Sequence, residues 1–409
     1  MGFGMDIKGR WDESETTASK RWVLPFIVVA QFACTSLWFA GNAIMPDLQM
    51  AYNLPSRSLG DLTAAVQLGF ISGTMLFALF TVSDRYSPSK VFFVSAVTGA
   101  LLNLSLLFAS GFGTLLLLRM LTGFFLAGIY PVGMKIASDY HQQGLGKALG
   151  YLVGALVVGT AFPHLLKISL GSLPWKYVLF GTSGFALLGG ILILAFVPNG
   201  PYRKPGNKVD FRLCFAVFKK KEFRAAAFGY FGHMWELYTF WAFVPVMLTW
   251  YGRHHANASV NVGLWSFLII AIGGFSCVVG GYASKVVGSR KVAFLALLIS
   301  GICCLLSVFM FMLPPILFYC FLLLWGMSVI ADSPQFSTLV AQRAPKESTG
   351  TALTIVNTIG FAITIVSLQV INTLSVQFPS SGIFMVLALG PLLGLIALQS
   401  HAGQESSTA

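Results

Sequence analysis

Long apolar stretches alternate with short polar connections along the entire chain. Each stretch holds about 20 residues, which is the length that an α-helix needs to cross the hydrocarbon core of a bilayer. Glycine and proline within the stretches do not argue against helix, because neighbouring helices re-satisfy the freed backbone groups. The pattern predicts twelve membrane-spanning helices, at residues 22–45, 59–82, 91–110, 114–135, 145–166, 175–197, 224–248, 261–284, 292–313, 316–338, 350–374 and 382–399.

The longest polar connection divides these spans six and six, and the two groups look like copies. The segment SDRYSPSKV after the second span is matched by GGYASKVVGSRKV after the eighth, and Pro131 of the fourth span corresponds to Pro334 of the tenth. Within the connection, residues 211–218 fit an amphipathic surface helix and a plain basic linker equally well. The predicted boundaries are an N-terminal tail 1–21, a first bundle 22–198, a linker 199–223, a second bundle 224–400 and a tail 401–409.

Composition supports a membrane protein, since 56% of residues are hydrophobic and 10% are charged, against about 25% charged in soluble domains. The net charge of +12 does not indicate nucleic-acid binding, because the basic residues lie in short loops. Nearly all occupy loops on the side of the N-terminus, which places both termini in the cytoplasm; the exceptions are Arg57, Lys167, Lys176, Arg253 and Arg119. The first twenty residues are polar, so no signal peptide is recognised.

No pattern indicates an enzyme or a resident cofactor. The six cysteines are scattered without metal-ligand spacing. We recognise no phosphate-binding loop, metal site or nucleophile constellation, and the spans leave no room for a soluble catalytic domain. We therefore expect no metal and no cofactor, with energy taken from an ion gradient; protons are the simpler coupling ion.

The loop after the second span resembles the signature G-x-x-x-D-R-x-G-R-[KR] of the major facilitator superfamily. Asp84, Arg85 and Lys90 match it, whereas Phe80, Ser87 and Pro88 replace expected residues. The second copy has Ser284 in place of the acidic residue. It retains four other residues of the signature, namely Gly280, Gly288, Arg290 and Lys291. The fourth span resembles the family's R-x-x-x-G segment through Arg119 and Gly123, and the glycine-rich fifth span is similar as well.

This resemblance implies an all-α membrane protein of twelve helices in two six-helix bundles, which rock about a central site to give alternating access. The first and seventh spans look similar to a bacterial group labelled nitrate, nitrite or cyanate permeases. The chain lacks the arginines in helices two and eight that nitrate carriers use, so nitrate is not the favoured substrate.

Within the seventh span, GYFGHMWELYTFWAF, two ionisable residues stand in an apolar run. Ionisable groups inside a membrane are costly and normally face a wet cavity or a partner. Glu236 follows His233 by three residues, so both lie on one side of the helix and close enough to interact. Burial favours the neutral form of each, so they could exchange a proton. We predict a proton-coupling pair; the alternative is a neutral pair that locks helix packing.

Two further ionisable residues suit a transport path. Arg119 offers a fork of donors for an anion, or it is the internal partner of Glu236 or Asp332. For Asp332 in the tenth span, a gate and a structural partner are both open.

Polar residues repeat along the first span at helical spacing, which predicts a solute-lining face, although a hydrogen-bonded helix contact is the alternative. Its members are Gln31, Thr35, Trp38 and Asn42. We also assign Gln67, Tyr130 and Asn357 to substrate binding. Asp84 with Arg85 is predicted to latch the two bundles, and Gly146, Gly150 and Gly154 to admit another helix closely.

These features predict a proton-coupled secondary transporter of a small polar or anionic organic solute, a monomer in a bacterial cytoplasmic (inner) membrane. Its predicted partners are the solute, protons and the lipid bilayer, without nucleic acid. The closest alternative is a proton-driven exporter of amphipathic compounds such as drugs or siderophores. A non-transporting sensor and an integral membrane enzyme fit the sequence less well.

Overall fold

The computed structural model describes residues 8–140, 145–203, 217–255, 259–345 and 349–399, and every regular element in these ranges is helical. In chain order the α-helices are α1 (Lys8–Thr35), α2 (Ala40–Ala43), α3 (Met45–Tyr52), α4 (Ser58–Leu79), α5 (Val82–Arg85), α6 (Pro88–Ser105), α7 (Phe112–Leu126), α8 (Tyr130–Tyr140), α9 (Leu145–Ser169), α10 (Lys176–Phe196), α11 (Lys221–His254), α12 (Val262–Val287), α13 (Ser289–Leu306), α14 (Pro315–Ala331), α15 (Ser333–Arg343), α16 (Thr349–Gln377) and α17 (Leu389–Gln399). Short 3-10 helices cover Leu106–Phe108, Ser307–Met312 and Ser381–Ala388.

Ten helical segments of the described chain are long and apolar enough to cross a membrane. The molecule is thus an all-α protein with many membrane-spanning helices. Helix also occupies the first and seventh predicted spans, where the apolar part of α1 is shorter, Trp22–Thr35, and α11 carries polar side chains. Twelve crossings, cytoplasmic termini and the domain boundaries stay predictions. Most of segment 211–218 lies outside the described residues, as do residues 401–409 of the tail.

Three predicted spans are broken rather than continuous. The first ends at Thr35 and resumes in α2, the fourth is interrupted between α7 and α8, and the tenth between α14 and α15. In the fourth and tenth, Pro131 and Pro334 follow the break, where proline has no N–H to donate and restricts the residue before it. The two breaks therefore lie at equivalent positions of the internal repeat.

Equivalent glycines bring equivalent helices together in the two halves. A Cβ at Gly123 of α7 would lie 2.0 Å from the carbonyl oxygen of Val66 in α4, and a Cβ at Gly326 of α14 would lie 2.1 Å from that of Ile269 in α12. Either contact excludes any larger residue, because atoms at such distances overlap. This repeated packing supports the internal duplication that the sequence predicts.

In the described chain, the most extensive contacts between the halves are made by two helix pairs: α4 packs along α16, and α9 packs along α12. In the second pair, a Cβ at Gly154 would lie 3.2 Å from the carbonyl oxygen of Gly274, so the backbones approach closely. The close approach predicted from the glycine repeat is confirmed at Gly154.

Candidate functional site

The break after α1 leaves backbone carbonyls that no helix continues to satisfy, and Arg119 of α7 binds them. Its Nη1 donates to the carbonyl of Leu37 at 3.1 Å, and its Nη2 donates to that of Trp38. The side chain is 1% exposed. A cation at a helix C-terminus is favourable, because the last carbonyls carry partial negative charge. Arg119 thereby fixes the backbone at the point where the first span is interrupted.

Arg119 does not meet the acids that the sequence offered as partners. Among the described residues, no carboxylate lies within ion-pair distance of its guanidinium, and its Nε has no hydrogen-bond partner. The positive charge is therefore balanced by carbonyl dipoles alone, and donors of the fork remain for an incoming anion.

The ring of Trp38, whose carbonyl Arg119 holds, belongs to a central aromatic cluster of four rings, Trp38, Phe70, Tyr238 and Phe361. From the Trp38 ring, the centroid of Phe70 lies at 4.8 Å, that of Tyr238 at 5.5 Å and that of Phe361 at 6.0 Å. These rings come from the first span, α4, α11 and α16, and so from both halves. One residue at the helix break thus connects Arg119 with the contact between the halves.

The other polar residues of the first span do not form one continuous face. Thr35 donates to the carbonyl of Gln31 and faces Gly159 of α9, whereas Asn42 lies beyond the break and donates to Thr63 at 2.8 Å. The break rotates the chain after Thr35, so helical spacing does not hold across it. Their predicted role as a solute-lining face stays a prediction.

Several buried polar side chains have no partner within the described protein. They include both side-chain polar atoms of Gln31, both of Gln67, and Nε1 of Trp38. Buried polar groups are normally hydrogen-bonded, so unpaired ones mark places where a polar ligand gains stability. Asn357 is half-buried on α16, one turn before the ring of Phe361.

His233 is paired with Asp332 and not with Glu236. Its Nδ1 lies 2.8 Å from Oδ1 of Asp332, and each side chain is 1% exposed. Asp332 is the single residue between α14 and α15, and its backbone keeps a helical conformation. The pairing expected from helical spacing is therefore replaced by one between two helices.

Glu236 points into a different seam, formed by α11, α13 and α14. Its carboxylate accepts hydrogen bonds from Ser300 Oγ at 3.0 Å and from Trp325 Nε1 at 2.5 Å. Sequence reasoning missed both donors. Trp325 precedes Asp332 by seven residues and so shares its helix face, which is the one signal that could have indicated it.

The ring of Tyr230 lies beside the His233–Asp332 pair, and Tyr130 of the first half is within electrostatic range of Tyr230. The ring of Tyr230 lies 5.8 Å from that of His233, and Tyr230 interacts electrostatically with both Tyr130 and Asp332. Sequence reasoning missed Tyr230, although it precedes His233 by three residues on the same helix face. Tyrosines of both halves therefore lie within electrostatic range of each other beside the buried acid.

At the ends of the helices predicted to be cytoplasmic, Asp84 forms no bridge between the halves among the residues that the structure describes. It pairs with Lys135 at 2.8 Å, and Lys135 also lies 3.6 Å from Asp139. Arg203 donates to the carbonyl of Asp84 at 2.7 Å, while Arg85 is exposed. These partners belong to the first half and, for Arg203, to the start of the predicted linker, so a latch between the halves stays a prediction.

The opposite ends of α4 and α16 do bridge the halves. Gln369 Nε2 donates to Asp61 Oδ1 at 3.1 Å, and Asn372 Nδ2 donates to the carbonyl of Arg57 at 2.8 Å. A Cβ at Gly60 would lie 2.4 Å from Cγ of Asn372, so the helices touch closely there. We call these five residues the outer seal, after the side of the membrane on which the sequence prediction places them.

Comparison with known proteins gives consistent relatives. The sequence profile of the Major Facilitator Superfamily matches residues 27–368. Two curated relatives are 24% identical: an uncharacterised transporter of Buchnera aphidicola over 174 residues, and the uncharacterised MFS-type transporter YybF of Bacillus subtilis over 181 residues. These matches cover 41% and 42% of this chain and 41% and 45% of the relatives, which is less than half of their length.

Among solved structures, the fold is similar to that of the human organic anion transporter MFSD10 (TETRAN). The TM-score is 0.74 at 16% identity, over 93% of this chain and 99% of that chain. At this identity the similarity concerns the fold.

Proposed function

Because the chain belongs to the major facilitator superfamily and is a membrane transport protein, we propose that it is a proton-coupled carrier of a small organic anion working by alternating access. The observation that carries the proposal is the buried His233–Asp332 pair, with the ring of Tyr230 beside it. We place the protein, as a monomer, in a bacterial cytoplasmic membrane.

The pair suits proton coupling because its protonation depends on hydration. Placing an isolated ionised carboxylate in the membrane costs at least a few kcal/mol of free energy. Asp332 is therefore either paired with His233 or protonated. When the halves rock, water reaches the seam from one side or the other, and the pair can load and release a proton on different sides. Glu236 is bound by two donors in a separate seam, and we propose that it positions α11 rather than carrying the proton.

The anion part of the proposal rests on Arg119 and the central aromatic cluster. A buried guanidinium without a carboxylate partner attracts an anion strongly, because the surroundings screen charge weakly. Aromatic rings from both halves provide an apolar contact for the body of the solute. A carboxylate or sulfonate attached to a flat apolar group would satisfy both features.

The outer seal supports alternating access with the present state closed on the outside. The ion pairs of Asp84 at the other end lie within one half and do not hold the halves together there. We propose that opening the outer seal and closing the Asp84 end are the two phases of one cycle, with Arg85 joining the contact in the second phase.

The central aromatic cluster also favours a second candidate, a proton-driven exporter of amphipathic compounds. Stacked rings bind flat apolar molecules of either sign, whereas Arg119 repels cations. A cationic dye that is transported better than any anion would favour this alternative.

The proposed function is tested with proteoliposomes that contain a pH-sensitive dye. We expect external benzenesulfonate or naphthalenesulfonate to change the internal pH in a protein-dependent manner. Sulfonates stay ionised and cannot carry protons through lipid themselves, so the signal reports coupled transport. Acidification indicates movement of proton and anion together, and alkalinisation indicates exchange. If no anion in a panel of sulfonates and carboxylates changes the pH beyond protein-free liposomes, the proposal is wrong.

The outer seal gives a separate prediction for alternating access. Gly60→Trp should abolish transport, because even a Cβ at this position overlaps Asn372 when α4 and α16 are in contact. Anion binding from the outside should persist. Gly113→Trp is the matched control, since Gly113 is exposed at the equivalent end of α7 and a Cβ there meets nothing within 4 Å. Normal transport by Gly60→Trp would show that this contact does not open and close.

A further inference from the structure

A surface pocket lies on the seam between α9 and α12, at the end predicted to face the cytoplasm. It contains about 240 Å³ of empty space that includes its open mouth. Its lining residues are Lys147, Gly150, Tyr151, Val278, Gly281, Tyr282 and Lys285. The transport path described above does not use this pocket.

Two cations share the polar end of the pocket. Lys147 Nζ lies 5.9 Å from the centroid of the Tyr151 ring and 5.9 Å from that of Tyr282. Lys285 Nζ approaches the same Tyr282 ring, at 5.4 Å. The hydroxyl oxygens of the two tyrosines are 3.4 Å apart. None of the lining residues is acidic, so two ammonium groups and two hydroxyls converge on a region that suits an anion.

The other side of the pocket is continuous with a lipid-facing surface. Phe275, Val279 and Tyr282 follow one another at spacings of four and three residues, so they lie on one face of α12. They are 61%, 47% and 48% exposed, as expected for side chains in contact with acyl chains. At Gly281 a Cβ would meet nothing within 4 Å, so the groove beside this face is open.

We propose that this pocket binds the headgroup of an anionic phospholipid, with an acyl chain along the exposed face of α12. Lysine and tyrosine are typical of the level at which headgroups lie, because their apolar parts stay in the membrane while their polar ends reach water. A soluble phosphate would match the cations but would leave the apolar groove unused. The lipid therefore fits both ends of the site.

One bound headgroup would connect the two halves of the protein, because Lys147 belongs to α9 and Lys285 to α12. The seam between these helices is one of the two most extensive contacts between the halves in the described chain. An anionic lipid should thus favour the arrangement in which these helix ends lie side by side, and its binding should weaken with salt.

The test is a lipid titration of the delipidated protein in detergent, followed by native mass spectrometry. Phosphatidylglycerol should bind more tightly than phosphatidylcholine, and Lys147→Gln with Lys285→Gln should weaken phosphatidylglycerol binding about 30-fold. The matched control is Lys90→Gln with Lys291→Gln, which removes two exposed charges on the same predicted side. It should bind phosphatidylglycerol like the parent protein.

Three outcomes would overturn the proposal. Equal weakening in the control variant would mean that diffuse positive charge, and not this pocket, attracts the lipid. Equal binding of the two lipids would exclude headgroup recognition. Complete displacement of phosphatidylglycerol by millimolar inorganic phosphate would identify a soluble-anion site instead. Melting temperatures in phosphatidylcholine, which should be unchanged, show that the variants are folded.

Discussion

Asp332→Asn is expected to abolish accumulation of the transported anion while leaving its passive exchange intact. Asparagine keeps the shape of the side chain beside His233, but it cannot bind and release a proton at neutral pH. A carrier that couples one proton to one solute can accumulate the solute about 100-fold across a gradient of two pH units, since each tenfold ratio corresponds to about 1.4 kcal/mol. The variant should reach about equal concentrations on both sides.

The measurement compares two assays on the same proteoliposomes. Uptake driven by a pH gradient reports coupling, and exchange of labelled for unlabelled anion without a gradient reports the conformational cycle. Asp47→Asn is the matched control, because Asp47 pairs with Lys167 outside the central region. It loses the same charge and should accumulate normally.

Glu236→Gln distinguishes the structure-based assignment from the sequence-based one. Glutamine retains one acceptor oxygen for the Trp325 N–H, and its amide N–H can donate to the Ser300 hydroxyl oxygen, so the variant should fold and accumulate the anion. Loss of accumulation in Glu236→Gln together with full accumulation in Asp332→Asn would show that Glu236 carries the proton and that our proposal is wrong.

Glu236 and Asp332 show which features of the site can be predicted from the sequence and which cannot. An ionisable residue inside an apolar span can be recognised from the sequence of that span alone. The sequence therefore predicts the intramembrane positions of Arg119, Glu236 and Asp332. Which group faces which depends on distances between helices far apart in the chain. His233 and Glu236 share a helix face, but His233 is paired with Asp332, which lies far away along the chain.

Family membership, the all-helical membrane fold and the close approach at Gly154 could be predicted because each depends on local pattern. Apolar length specifies a membrane span, and small residues at helical spacing specify close packing. The break after Thr35 could not be predicted in this way. No proline marks it, and its carbonyls are stabilised by Arg119, which lies about 80 residues further along the chain.

Arg119→Gln is expected to weaken anion binding by about 10- to 100-fold, because one charge-assisted hydrogen bond contributes about 1.5–3 kcal/mol. The anion affinity of Arg119→Lys should lie between those of Arg119→Gln and the parent protein. Lysine keeps the positive charge, but it lacks the planar fork that can bind two carbonyls and an anion together. Binding is measured by displacement of a labelled sulfonate from the purified protein. An uncharged analogue of the same shape should bind all three proteins alike.

This comparison separates the two roles of Arg119, which holds the break in the first span and, in our proposal, binds the solute. Loss of the hydrogen bonds to Leu37 and Trp38 should lower the melting temperature of both variants. Arg253→Gln, which removes an exposed cation, should change neither property. If both Arg119 variants melt earlier but bind the sulfonate like the parent protein, Arg119 only stabilises the break. The anion would then have to be recognised elsewhere. That site would lack a fully buried cation, because no other arginine or lysine in the described chain is as completely buried as Arg119.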